Sequence, residues 1–350
     1  MAIKASGTPL SFSEIRTEFG PNVGSTGVSL GRYRADSLYF INKVVGSLGS
    51  VGNYLPLDIG VPTSGEIKAS DFYTKKLNII VDFYSGGTTT PVSASIQYAA
   101  NNVKVVGGYT GRPSSAAGKR VIVNVNKKIG SETGGNDRCA FRTGGWHPQT
   151  SSLEIEVGPS GKIYGAGGDG GSGGNGGNGD GSSGTGGSSA LGVETSRLTK
   201  INNLGRIQAG YGGGGGGGGK SERRKSGKKS SRRHSSTGGG GGGGAGYPNG
   251  NGGSPGTGQQ NDGTTGSAGG DATDTVSGSR GAGGLEAGFG GDGGSGPSAS
   301  ASKAEDGQNA GGSGGTGGNN GYAIITSQGS LPTITGNAVI GRTITSSNPQ

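Results

Sequence analysis

The residues best equipped for chemistry lie in one stretch, residues 220–234 (KSERRKSGKKSSRRH). Lys220, Arg223, Arg224, Lys225, Lys228, Lys229, Arg232 and Arg233 stand there against a single acid, Glu222. Clustered guanidinium and ammonium groups attract phosphate-bearing glycans or lipids over long range, in a salt-sensitive way. Glycine runs at 212–219 and 238–244 flank the tract. It therefore reads as a loop projected between two glycine segments, and Tyr211 and Tyr247, which bracket it, offer rings that could stack on sugars. A solvated loop without a partner is the competing reading. Nucleic-acid binding is weaker, because the tract has no RGG repeats and no aromatic residue inside it.

Other chemical motifs fail on context. Residues 214–221 (GGGGGGKS) match the phosphate-binding GxxxxGK[ST] loop, but that loop needs a buried strand before it and an apolar-faced helix after it. Any glycine run ending in Lys-Ser matches. The calcium-binding nonapeptide needs aspartate sixth and an apolar residue eighth, and neither GGDGGSGGN nor GGNGGNGDG supplies both. Cys139 is the only cysteine, and His147 and His234 are the only histidines. No disulfide, Cys-based zinc site, catalytic set, metal site or cofactor is expected, and the chain reads as a non-enzyme.

The elements that must position the basic tract divide along the chain. Of 87 glycines, 62 fall in residues 161–321, so the first half holds most of the means to build hydrophobic cores. The net charge of +9 is local too. The tract holds eight of the 31 basic residues and one of the 22 acidic ones, leaving 23 against 21 elsewhere. A signal peptide's apolar core and a membrane-length apolar run are both absent from the sequence, so a soluble protein made in the cytoplasm is expected.

Near the N-terminus, Ser11 and Glu14 form a capping box, with Leu10 and Ile15 at the staple positions. Gly20-Pro21 stops this helix after about two turns. Short helices are also expected near residues 29–34 and near 70–75, the last capped by Ser70. From Leu77 the pattern becomes β: LNIIVDFY, VSASIQY, NVKVVGGY, KRVIVNVNKKI, RCAFRTG and SLEIEVG are short and separated by turn-forming residues. Val121, Val123 and Val125 alternate with Ile122, Asn124 and Asn126. An antiparallel β-sandwich is expected, with Cys139 and Trp146 in packing roles.

Residues 167–179 (GGDGGSGGNGGNG) contain four Gly-Gly-X triplets, and the triplet returns at 290–296 and 311–318. Period three is the repeat of a polyproline-II helix, and bare glycine edges let such helices pack and bond to one another. Collagen would need one glycine per triplet with abundant proline. A flexible linker would need no strict triplets and no ordered-looking interruptions such as residues 190–211 and YAIITS (322–327). Packed polyglycine-II helices fit best.

Two resemblances follow. SFSEIRTEFG (11–20), VSLGRYR (28–34) and VPTSGEIKASDFYTKK (61–76) resemble a recurring N-terminal module of tailed-phage virion proteins. That implies docking to other virion proteins, for which Phe12, Ile15, Phe19, Phe72 and Tyr73 are the candidate residues. The order IYGAGGxGGxGG, LTKINNLGRIQAGYGGGG, a variable loop and further triplets resembles phage fibre-tip adhesins and related glycine-rich tail proteins over about residues 158–327. This implies a polyglycine-II sandwich holding hypervariable loops that touch the host surface.

The fold expected is thus mainly β with irregular parts. It comprises a virion attachment module with short helices (1–76), a β-sandwich (77–160), a glycine-rich adhesin-like domain (161–327) and an extended tail (328–350). The expected role is a virion structural protein, a tail fibre or tail-associated component. Its expected partners are other virion proteins, copies of itself, and a host glycan, lipopolysaccharide or outer-membrane protein. A purely architectural virion subunit is the alternative.

Overall fold

The computed structural model describes residues 5–19, 30–33, 61–62, 64–75, 78–83, 94–95, 103–106, 118–144, 146, 150–177, 179–226, 230–257, 264–282 and 312–347. Within the N-terminal module, α1 spans Phe12–Phe19. The Ser11 amide donates to Glu14 Oε2 (2.9 Å) and the Glu14 amide to Ser11 Oγ (3.2 Å), closing the capping box. So short a helix needs packing to persist. Ile15 and Phe72 are fully buried, and the Tyr33 ring stands edge-on to both Phe12 and Phe72, 6.3 Å from each. Tyr33 and Phe72 sit in 3₁₀ turns, Leu30–Tyr33 and Ala69–Phe72. The second turn is capped at Lys68 and not at Ser70: the Lys68 amide donates to Asp71 Oδ2 (2.7 Å), a carboxylate three residues on that reaches back to it.

The β-structure comprises β1 (Ile79–Phe83), β2 (Ala94–Ser95), β3 (Val103–Val106), β4 (Arg120–Val125), β5 (Lys128–Gly130), β6 (Cys139–Arg142), β7 (Ser152–Val157) and β8 (Lys162–Tyr164). It continues with β9 (Ser189–Val193), β10 (Thr199–Asn203), β11 (Arg206–Gln208), β12 (Lys220–Ser226), β13 (Ser230–Ser236), β14 (Tyr322–Thr326), β15 (Thr333–Gly336) and β16 (Arg342–Ile344). Apart from the hairpin β12–β13, these strands form three sheets, ordered β15-β10-β7-β4-β1-β3, β11-β8-β5 and β16-β14-β9-β6-β2. From β4 onward the chain visits the sheets in one fixed order. The coils are β4-β5-β6, β7-β8-β9, β10-β11-β14, and finally β15, a bridge from Ile340 to Gln208, and β16.

This is a three-sided parallel solenoid, and it replaces the antiparallel sandwich expected from the sequence. Among the described residues only β1 with β3, and the two strands of the hairpin, pair antiparallel. Each strand turns a corner into a different sheet and returns one rung along, where like residues stack. Val123, Ile155, Ile201 and Ile334 form one stack, Ile129, Ile163 and Ile207 a second, and Phe141, Leu191 and Ile324 a third. All but Ile334 are essentially buried in one cluster that includes Trp146. Burying a side chain of this size contributes about 1.5–3 kcal/mol. Cys139 is buried as well, and the Trp146 indole N–H donates to the Thr143 carbonyl (2.9 Å).

Two corners between the second and third sheets are expanded, at residues 165–188 and 209–321. They hold eight extended segments: 165–176, 179–188, 210–219, 238–247, 250–257, 264–273, 276–282 and 312–321. Their backbone bonds recur every third residue. Gly168, Gly171 and Gly174 donate to the carbonyls of Tyr211, Gly214 and Gly217 at 2.7–2.9 Å, and Gly210, Gly213, Gly216 and Gly219 to those of Ser188, Thr185, Ser182 and Gly179. Segment 238–247 bonds to five other segments: it donates to 165–176 and 264–273 and accepts from 210–219, 250–257 and 276–282.

The number of neighbours explains the number of glycines. A three-residue turn has three edges, and an edge packed on another backbone has no room for a Cβ. In segment 238–247, a Cβ on Gly241, Gly242 or Gly243 would overlap the carbonyl oxygen of Gly214, Gly278 or Gly250 in turn, three different neighbours. Hence residues 238–244 are glycine throughout. At the periphery one edge is free: Gly253 and Gly256 are buried, while Asn251, Ser254 and Thr257 are exposed. Some outward residues also cap backbone. Asp169 Oδ1, Asn175 Oδ1 and Asp271 Oδ1 accept from the amides of Asn251, Thr257 and Gly252, each at 2.8 Å.

Candidate functional site

Because the eight segments alternately run out from the solenoid and back, every second connection lies at the far end. Gly167 bonds to Pro248 and Gly165 to Gln208 at the near end, whereas Gly176 bonds to Thr257 and Gly312 to Gly219 at the far end. Four pairs of segment ends thus meet at the far end: Gly177 and Gly179, Gly219 and Gly238, Thr257 and Thr264, and Ala282 and Gly312.

The near end is fastened to the solenoid. Lys128 Nζ, on β5, lies 2.9 Å from Asp274 Oδ2 and 3.7 Å from the centroid of the Tyr247 ring. Gln208 Nε2 on β11 donates to the Asp274 carbonyl (2.9 Å). Burial here raises the Tyr164 hydroxyl above its ordinary pKa, with Arg206 opposing and Asp274 assisting.

The basic tract is an antiparallel ribbon whose strands leave the lattice directly from Gly219 and rejoin it near Gly238. Its register places Glu222 opposite His234, Arg223 opposite Arg233, Arg224 opposite Arg232, and Lys225 opposite Ser231. Lys220, at the base, is buried. Lys228 and Lys229 lie outside the described residues. The exit is pinned: the Thr237 amide donates to the Thr264 carbonyl, and the Gly266 amide to Thr237 Oγ1 (2.8 Å).

The structure does not bring the two tyrosines to this ribbon. Tyr211 and Tyr247 are at the near end, and nine residues at about 3.1 Å each put roughly 28 Å between Tyr247 and Gly238. Tyr247 is buried and shares Lys128 with Asp274, so its ring serves the root of the lattice. In the N-terminal module, Ile15 and Phe72 are internal, whereas Phe12 is 39% exposed and the Tyr73 hydroxyl donates to the Thr8 carbonyl (2.8 Å). Phe19 lies in α1.

No motif marks Gly177, Thr257 or Thr264 in the sequence. The signal that finds them is parity: counting glycine segments as alternate outward and inward runs puts all three at the hairpin's end of the lattice. Among the described residues no group of His, Cys, Asp and Glu is placed to hold a metal, and no helix is long and apolar enough to cross a membrane.

Comparison with known proteins adds three findings. The family model described as phage tail fibre adhesin Gp38 matches residues 88–348. Among solved structures, the chain is similar to the crystal structure of the gp37-gp38 adhesin tip complex of the bacteriophage S16 long tail fiber, with 17% identity, coverage of 98% of this chain and 100% of that one, and a TM-score of 0.38. No curated protein matches the chain.

Proposed function

Because the chain belongs to the phage tail fibre adhesin Gp38 family, and is thereby a virion component, we propose that it carries a tail fibre's host-contacting surface on the far end of a polyglycine-II lattice. The observation that carries this reading is the meeting of four pairs of segment ends at one end of the lattice, with the other end fastened to the solenoid. Backbone bonds every third residue make the lattice stiff, so the connections can vary in sequence without disturbing what holds them. Binding is the whole of the proposed chemistry. The host partner is a surface glycan, lipopolysaccharide or outer-membrane protein.

The N-terminal module, which lies ahead of the family match, is the proposed docking element for other virion proteins. Phe12 and Tyr73 are its candidate contacts, while Ile15 and Phe72 hold it together. A homo-oligomer in the particle accords with this role.

Purified full-length protein, added to host cells before the phage, should block adsorption in a saturable way. A folded preparation that binds no cells and blocks nothing would instead support a purely architectural virion subunit.

A further inference from the structure

We propose that the β12–β13 ribbon is a clamp for closely spaced phosphate groups on the host's lipopolysaccharide. This rests on the reading of the far end as the host-contacting surface, and it goes further by naming the ligand's chemistry.

The register is the main observation. In an antiparallel ribbon, residues directly opposite one another have Cβ atoms about 4.5–5.5 Å apart, and like charges in such a pair destabilise it. Here the register sets arginine opposite arginine at two consecutive rungs, Arg223 with Arg233 and Arg224 with Arg232. Consecutive rungs fall on opposite faces of the ribbon. Each face therefore has one arginine pair, and Lys225 lies on the face of Arg223 and Arg233. The only acid of the tract, Glu222, is paired in register with His234 and with neither arginine rung.

A two-stranded ribbon is marginal by itself, and two repulsive rungs make it more so. An anion bridging each pair would turn the repulsion into attraction. Arginine suits this role because its planar fork of donors matches phosphate oxygens in bidentate fashion. A lone carboxylate brings one charge to a rung, whereas a phosphate group offers more charge and more acceptor oxygens in the same space. Two faces call for a ligand with several phosphates set close together, which favours a phosphorylated glycolipid over an acidic protein loop. The polyglycine segments on either side hold the strand ends at fixed spacing, through bonds such as Gly219 to Gly179 and Gly238 to Gly174 (both 2.8 Å).

The test uses the full-length protein and three probes: micelles of host lipopolysaccharide, the same material after chemical removal of its phosphates, and phosphatidylglycerol vesicles. Binding to intact lipopolysaccharide should weaken as salt rises, and dephosphorylation should abolish it. The paired variants R223Q/R233Q and R224Q/R232Q should each lose roughly tenfold or more in affinity, the effect of removing charge-assisted bonds. K162Q, on the solenoid, should bind as the parent does. Unchanged thermal unfolding of the paired variants would show that the lattice is intact.

Equal binding to dephosphorylated material would overturn the clamp, as would an equal loss in K162Q. Stronger binding to phosphatidylglycerol than to lipopolysaccharide would overturn the assignment to lipopolysaccharide. Saturable, phosphate-independent binding to host cells would sink the clamp and leave the host-contact reading standing, whereas absence of any cell binding would remove both.

Discussion

Gly241 lies so close to Gly214 that a Cβ on Gly241 would overlap the Gly214 carbonyl oxygen, the same oxygen that accepts the Gly171 amide at 2.8 Å. Three segments meet there, and the Gly241 amide returns a bond to the Gly171 carbonyl. The proposed host contact depends on this junction, because the far end is held in place only if the segments stay in register.

Gly241→Ala should therefore lower stability by about 1–3 kcal/mol, the range for overpacking a close-packed interior. Ser254→Ala, on an exposed edge, should change it by less than about 0.5 kcal/mol. Chemical denaturation of the two variants checks this, and equal stabilities would contradict the account of why the run is pure glycine.

Asp169 caps a backbone donor from the outside of the lattice, through the Asn251 amide and side chain. Asp169→Ala should cost about 1 kcal/mol, the net worth of a typical hydrogen bond, and should speed amide exchange at Asn251. Asp169→Asn keeps an acceptor and should exchange as the parent does.

Much of this architecture was legible in the sequence. The triplet GGX specified both the hydrogen-bond period and the outward edge, because an edge with a side chain cannot face another backbone. The Ser11–Glu14 cap was equally local. The solenoid was not legible, because a period-two strand such as Ser152–Val157 reads alike in a sandwich and in a parallel coil. The repeat that would have revealed it is broken. Val123 pairs with Ile155 32 residues on, but Ile155 pairs with Ile201 after 46 and Ile201 with Ile334 after 133, since the glycine segments are inserted within the coils. At the site, the charge of the tract was plain, but its ribbon register and its distance from Tyr211 and Tyr247 depended on segment direction, which composition does not carry.

The solenoid's outer face offers a pH test. Burial pushes the Glu154 carboxyl up, but hydrogen bonds from Arg120 and Ser152, with the charges of Arg120 and Lys200, outweigh it and hold the carboxyl below its ordinary value. Arg120 bonds to both carboxylate oxygens, at 3.2 and 2.7 Å. A depressed carboxylate stabilises the fold above its unfolded pKa of about 4.3, and that contribution is lost as pH falls through the lower folded value. Glu154→Gln should thus cost up to about 1 kcal/mol at pH 7 and progressively less in acid. A penalty that stays constant down to strongly acidic pH would rule out the ion pair as its source.

If host contact lies at the far end and chiefly on the β12–β13 ribbon, phage adsorption depends on that ribbon and not on the near-end turn. Two virions should be compared, one with residues 221–235 replaced by Gly-Ser-Gly, the other with Val276→Asp in the near-end turn, where Val276 is 63% exposed. The first should lose most of its adsorption rate, while the second should adsorb as the parent does. Normal adsorption by the first, or a loss confined to the second, would contradict host contact at the ribbon.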